Sequence, residues 1–128
     1  MRVPDRWSLV APAIEELPWT PPVPDVIARY FEADARRDID AVVALFTDEA
    51  VVLDEDRTWQ GTTRIRQWRE GPAAKYRYTT ELTGIRATGT DRFLATGRLE
   101  GNFPGGTADL TWRFIVDGDQ ISRLQIAP

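Results

Sequence analysis

Three turn signals in the second half of the chain constrain the fold more than any other feature. They separate four β-prone runs, which cover about residues 76–88, 92–103, 107–116 and 120–126. The signals are Gly89-Thr90-Asp91, Pro104-Gly105-Gly106 and Asp117-Gly118. Turns this short join neighbouring antiparallel strands, and Asp-Gly favours a two-residue hairpin. The second half is therefore predicted to form an antiparallel meander of four strands.

The first half follows a helical period instead. Apolar residues recur at helical spacing over residues 24–37, and again in a second helix that Asp38 or Asp40 can cap and that ends near residue 47. A β-prone run over residues 50–54 and a short helix over residues 62–69 follow. Helices followed by a meander predict an α+β fold, with about three N-terminal helices packed on a curved antiparallel sheet.

Prolines set the first 23 residues apart from the rest. Each proline removes a backbone donor and restricts the residue before it. The five prolines of this segment are Pro4, Pro12, Pro18, Pro21 and Pro22. We predict an extended arm over residues 1–23, packed on the domain or on a partner subunit, and a single domain over residues 24–128.

Composition excludes several classes of function. The formal net charge of −4 repels phosphate backbones and anionic lipid surfaces, so neither nucleic acid nor a membrane is expected as a partner. The chain has no cysteine and no histidine, which eliminates disulfides, thiol or imidazole catalysis and the usual zinc sites. No glycine-rich phosphate loop or metal-ligand cluster is present, so no cofactor and no metal are expected. We predict a cytoplasmic protein.

Three motifs carry a resemblance to a known superfamily. They are Val-Ile-Ala-Arg-Tyr-Phe at residues 26–31, Arg-Asp-Ile-Asp-Ala-Val-Val-Ala-Leu-Phe-Thr-Asp-Glu-Ala-Val-Val at residues 37–52, and Gln-Gly-Thr-Thr-Arg-Ile-Arg-Gln-Trp at residues 60–68. With the order of elements over residues 24–127, they resemble the nuclear transport factor 2-like, or SnoaL-like, superfamily. The resemblance implies a cone-shaped α+β barrel and a homodimer formed through the convex face of the sheet. The fold hosts isomerases, cyclases, dehydratases, epoxide hydrolases and non-catalytic binders, so it does not fix a function.

Residues 27–54 are locally similar to ketosteroid isomerase. In that family a tyrosine of the first helix donates a hydrogen bond to the substrate carbonyl, and an aspartate that ends the first strand moves the proton. Tyr30 and Asp54 occupy those positions. The family's second, protonated acid has no counterpart, because the corresponding position is Thr111 or Phe114 depending on the turn from which one counts. Asp109 is nearby but is not aligned with it.

The residues themselves favour the same pair. Alternation places Asp54 on the strand face of Val52, where loss of hydration would raise the carboxyl pKa toward the range of a general base. Tyr30 lies on the buried stripe of its helix, where its hydroxyl needs a partner such as a bound carbonyl oxygen. Two other interpretations stay open: Asp54 can begin a solvated acidic turn with Glu55 and Asp56, and Tyr30 can be ordinary core.

Large aromatic residues would shape the cavity, although tryptophans at such positions more often belong to the core. These substrate-binding candidates are Trp59, Trp68, Trp112 and Phe114. Arginines also cluster on the short helix, where we interpret them as a solvated face rather than a phosphate site. They are Arg64, Arg66 and Arg69.

A second enzymatic interpretation rests on Arg98-Leu99-Glu100, which is similar to the Arg-x-Asp of limonene epoxide hydrolase. Alternation favours a different assignment, in which Arg98 and Glu100 lie on a polar outer face opposite Leu99 and Phe103. The leading hypothesis is therefore an isomerase, cyclase or dehydratase that acts on a small apolar carbonyl compound, with Asp54 as general base. The alternative is a non-catalytic module for binding an apolar ligand or for dimerisation.

Overall fold

The computed structural model describes residues 23–128, so the arm predicted over residues 1–23 lies outside the described residues except for Val23. The elements are α1 (Asp25–Arg36), α2 (Ile39–Ala44), β1 (Phe46–Asp54), β2 (Arg57–Gln60), α3 (Thr62–Glu70), a 3₁₀ turn (Pro72–Ala74), β3 (Tyr78–Ala87), β4 (Arg92–Gly101), β5 (Thr107–Asp117) and β6 (Gln120–Ala127). The strands form one sheet in the order β2-β1-β6-β5-β4-β3. The predicted α+β architecture, helices packed on a curved sheet, is confirmed.

The predicted meander is confirmed to within two residues at each strand end. Strands β3 to β6 are paired in sequence order, and every one of these pairs is antiparallel. The last hairpin turns at Asp117 and Gln120, as the Asp-Gly signal indicated, and Gly118 takes a positive φ of 65°. Strand β1 joins the free edge of β6, and this pair is parallel.

The second helix is shorter than predicted, and the prediction that it reaches residue 47 is wrong. It begins at the Asp38 cap, whose carboxylate accepts a hydrogen bond from the Ala41 amide at 3.1 Å, and ends at Ala44. Phe46 keeps the helical period but opens β1 instead, opposite Ile121. Pairing with β6 supplies backbone hydrogen bonds that the local period cannot reveal, so tertiary structure overrides it.

Strand β2 was missed by the sequence analysis. It is a four-residue edge strand in which only Trp59 is buried, so it lacks the alternation that marks a longer strand. A two-residue turn joins it to β1, and Asp54 pairs with Arg57. Both turn residues, Glu55 and Asp56, have positive φ, as this hairpin type requires.

The core lies between the helices and the concave face of the sheet. Helix α1 contributes the predicted stripe, in which Val26, Ile27 and Tyr30 are almost fully buried. Edge-to-face contacts join the Tyr30 ring to Phe46 and Phe114. Among the described helices, none has the length and apolar character needed to cross a membrane.

Candidate functional site

A cavity of about 530 Å³ lies where the helices meet one end of the sheet. Its wall is formed by α1, α3, the 3₁₀ turn, the β1–β2 turn and the neighbouring ends of strands β3 to β6. Most of the lining side chains are apolar or aromatic, and the polar ones come chiefly from the helices and the end of β1. A small, mainly apolar pocket with a few converging polar groups is typical of a ligand site.

Asp54 ends β1 and lines this cavity. Its side chain is half-buried, and the Trp68 indole Nε1 donates a hydrogen bond to Oδ2 at 3.0 Å. Burial raises the carboxyl pKa above its ordinary value, and the Trp68 hydrogen bond opposes that rise in part. Asp54 therefore differs from Glu55 and Asp56, which are exposed in the turn.

Tyr30 lines the same cavity from α1. It is 2% exposed, and its hydroxyl makes no hydrogen bond to any residue in the described part of the chain. Burial and the negative charge of Asp34 raise the phenol pKa well above its ordinary value, although the positive charge of Arg69 lowers it. The hydroxyl therefore stays protonated and is available as a hydrogen-bond donor.

We expect Trp68→Phe to raise the pKa of Asp54 further. The substitution keeps an aromatic ring but removes the Nε1 donor that stabilises the ionised carboxylate. The pKa would be measured by carboxyl ¹³C NMR titration. Trp112→Phe is the matched control, since Trp112 also lines the cavity but is not the donor to Asp54. An unchanged Asp54 pKa in the Trp68 variant would show that the indole bond is not important in solution.

A buried ion pair in the cavity wall was not predicted from the sequence. The Arg69 Nη2 donates to Asp34 Oδ1 at 2.8 Å, and both side chains are less than a tenth exposed. The Tyr78 hydroxyl donates to the same carboxylate oxygen at 2.9 Å. All three residues line the cavity. The central guanidinium carbon, Cζ, of Arg69 lies 5.2 Å from the Trp68 ring centroid.

The interpretation of Arg69 as part of a solvated helix face is wrong. Arg64 is exposed and Arg66 is bound to Asp40, but Arg69 is 5% exposed because it follows Trp68 on the side of α3 that faces the cavity. A signal was present in the sequence. Asp34 follows Tyr30 by four residues, so it shares the buried face of α1, and a buried carboxylate requires a cationic partner.

The aromatic candidates separate into two groups. Trp68 and Trp112 line the cavity. Trp59 and Phe114 are buried but lie outside the cavity wall: Trp59 packs under the guanidinium of Arg57, and Phe114 packs against Tyr30.

The Arg98-Leu99-Glu100 motif does not form a site in the cavity. Leu99 lines the cavity, whereas Arg98 and Glu100 are exposed on the outer face, as strand alternation indicated. Arg98 pairs there with Asp109, with an Nε to Oδ1 distance of 3.0 Å. Asp109 is exposed and does not line the cavity that Tyr30 and Asp54 line. Residues 23–128 also contain no group of side chains arranged to hold a metal ion.

Comparison with known proteins identifies relatives of this fold. A family model described as a SnoaL-like domain matches residues 27–124. The crystal structure of a "putative polyketide cyclase" from Sinorhizobium meliloti is 33% identical, covers 82% of this chain and 95% of its own, and superposes with a TM-score of 0.77. No curated protein matches the chain.

Two more distant structures share the fold. A protein with a ketosteroid isomerase-like fold from Catenulispora acidiphila, in complex with trimethylamine, is 16% identical with a TM-score of 0.73, and the match covers 84% of this chain and 87% of that one. The epoxide hydrolase/cyclase-like enzyme SalBIII of salinomycin pyran formation is 18% identical with a TM-score of 0.70, covering 80% and 86%.

Proposed function

Since the chain belongs to the SnoaL-like domain family, we propose that it catalyses proton transfer on a small apolar carbonyl compound bound in the cavity. The reaction class is isomerisation, cyclisation or dehydration. One observation carries the proposal: the Asp54 carboxylate and the Tyr30 phenol line the same largely apolar cavity. A base and a donor that converge on one pocket are the two groups that enolate chemistry needs.

The proposed step begins with the carbonyl oxygen of the ligand at the Tyr30 hydroxyl. Asp54 removes a proton from the carbon next to the carbonyl, and the electron pair of that C–H bond forms the C=C bond of an enolate. Negative charge moves to the oxygen, where the Tyr30 hydrogen bond strengthens as the charge develops. In an isomerisation, protonated Asp54 then returns the proton to another carbon. In a cyclisation, the enolate carbon bonds to a second carbonyl carbon of the ligand, the π electrons of that carbonyl move to its oxygen, and the oxygen takes the proton from Asp54. In a dehydration, the enolate expels the hydroxyl group from the next carbon, which leaves as water with the proton from Asp54.

The electrostatics of both residues support these roles. A raised pKa makes Asp54 a stronger base than an exposed carboxylate. The raised pKa of Tyr30 keeps its proton on the phenol, so it can donate but does not compete as an acid. The 33% identical relative from Sinorhizobium meliloti is described as a "putative polyketide cyclase", which supports a cyclisation within this class.

Exchange of carbon-bound hydrogen tests the proposal without knowledge of the product. A panel of small apolar ketones would be incubated with the protein in D₂O and followed by ¹H NMR. Catalysed loss of the signal next to the carbonyl is expected, and Tyr30→Phe is expected to slow it about 10²- to 10³-fold, the typical effect of losing an oxyanion donor. The variant should fold normally, because the lost hydroxyl has no partner among the described residues.

The competing function is a non-catalytic module that binds an apolar ligand. It predicts that ketones bind but that no exchange exceeds the rate in buffer, and that Tyr30→Phe changes affinity alone. Exchange at equal rates in the wild type and in Tyr30→Phe would contradict the assigned role of Tyr30. Homodimerisation through the outer face of the sheet stays a prediction from the family resemblance.

A further inference from the structure

The Arg69 guanidinium has donors that the protein does not use. A guanidinium carries several N–H groups in one plane. The Nη2 bond to Asp34 is its only hydrogen bond to a described residue, and Nε is fully buried without an acceptor in that part of the chain. Because Nε is closed off, the donors that Arg69 can offer to the cavity are the terminal N–H groups that do not bind Asp34.

Asp34 and Tyr78 fix the position of this guanidinium. The carboxylate of Asp34 accepts from both Arg69 and Tyr78 through the same oxygen, at 2.8 and 2.9 Å. Asp34 lies four residues after Tyr30, so both side chains are on the cavity face of α1. The Tyr30 hydroxyl makes no hydrogen bond to Asp34 or to any other described residue, so it is available to a ligand.

We propose that Arg69 is a second hydrogen-bond donor to the ligand oxygen that Tyr30 binds, and that Asp34 and Tyr78 are its positioning residues. This inference rests on the proposed function for the nature of the ligand, a neutral carbonyl compound. Tyr30 and Arg69 come from different helices and line one cavity, and the charge of Arg69 acts on the Tyr30 phenol and lowers its pKa. The proposal places one ligand oxygen between the two groups. A carbonyl oxygen has two lone pairs, and a hydrogen bond from a charged donor is stronger than one from a neutral donor.

Matched ligands test this inference by binding alone. Five pairs of a cyclic ketone and its parent hydrocarbon, such as 1-indanone and indane, would be titrated while tryptophan fluorescence is recorded, since Trp68 and Trp112 line the cavity. The wild type is expected to prefer the ketone. The variant Arg69→Met with Asp34→Leu removes both charges together, which avoids the unpaired buried carboxylate that Arg69→Met alone would leave.

In the double variant the preference for ketone over hydrocarbon is expected to fall about 10-fold or more. The affinity for the hydrocarbon should change little, provided that circular dichroism shows a folded protein. Equal weakening of both ligands would overturn the inference, because it would indicate a role in cavity shape. So would the absence of any ketone preference in the wild type. The wild type could show no deuterium exchange while the double variant still loses the preference for ketone. That result would support the role of Arg69 and contradict the proposed function.

Discussion

Asp54→Asn is expected to lower the rate of deuterium exchange by about 10²- to 10⁴-fold, the range typical of a lost general base. Asparagine cannot accept the proton, but its side-chain oxygen still accepts the Trp68 Nε1 hydrogen bond. Ketone affinity should therefore be nearly unchanged, and the loss should appear in the turnover rate. The measurement is the exchange rate by ¹H NMR at saturating ketone.

Asp109→Asn is the matched control for this experiment. It makes the same chemical change on the outer face of the sheet, where Asp109 pairs with the exposed Arg98. The exchange rate should equal that of the wild type. If Asp54→Asn were as active as Asp109→Asn, Asp54 would not be the base, and another group would have to remove the proton.

Asp54→Asn is also expected to stabilise the fold at pH values above the folded-state pKa of Asp54. The folded-state pKa of Asp54 is raised, so this carboxyl contributes stability that is present below its ordinary pKa of 3.8 and is lost as the pH rises through the folded-state value. Above the folded-state pKa the wild type carries an ionised, half-buried carboxylate, whereas the asparagine variant does not. The difference in Tm between the two proteins should shrink as the pH is lowered toward 4.

The fold could be predicted where local signals and tertiary structure agree. The turn chemistry at Asp117-Gly118 and the helical stripe that contains Tyr30 act through neighbouring residues, and both were correctly interpreted. Phe46 was misassigned because its partner, Ile121, is distant in sequence. The parallel pairing of β1 with β6 likewise depends on where the chain returns, which no local period encodes.

The candidate site could be predicted only in part, for a similar reason. That Asp54 and Tyr30 line the cavity could be predicted, because the family resemblance, the strand period and the helix period all place them on inner faces. The burial of Arg69 was not predicted, because arginine on a short helix is usually solvated. Its burial depends on Asp34 from another helix. The cavity wall also combines side chains from most of the sheet, so the exclusion of Trp59 and Phe114 follows from the assembled fold alone.

Asp34→Leu or Arg69→Met alone is expected to destabilise the protein severely, by about 3–5 kcal/mol, because each leaves an unpaired buried charge. Such a loss corresponds to a decrease in Tm on the order of 10 °C for a domain of this size. The double variant should recover most of it, since an ion pair replaced by apolar side chains of similar volume is often neutral in stability. Thermal unfolding of the four proteins, followed by circular dichroism, gives the coupling between the two sites.

The exposed Arg98–Asp109 pair provides the matched cycle. The distance from Arg98 Nε to Asp109 Oδ1 is 3.0 Å, close to the 2.8 Å of the buried pair. The side chains of Arg98 and Asp109, however, are 49% and 76% exposed. Arg98→Met and Asp109→Leu should each leave Tm nearly unchanged, because water solvates a charge that has lost its partner. A double variant at Asp34 and Arg69 no more stable than its single variants would indicate that packing, and not the unpaired charge, determines stability there. Recovery in that double variant would instead show that the unpaired charge causes the loss and that the fold tolerates removal of the whole ion pair.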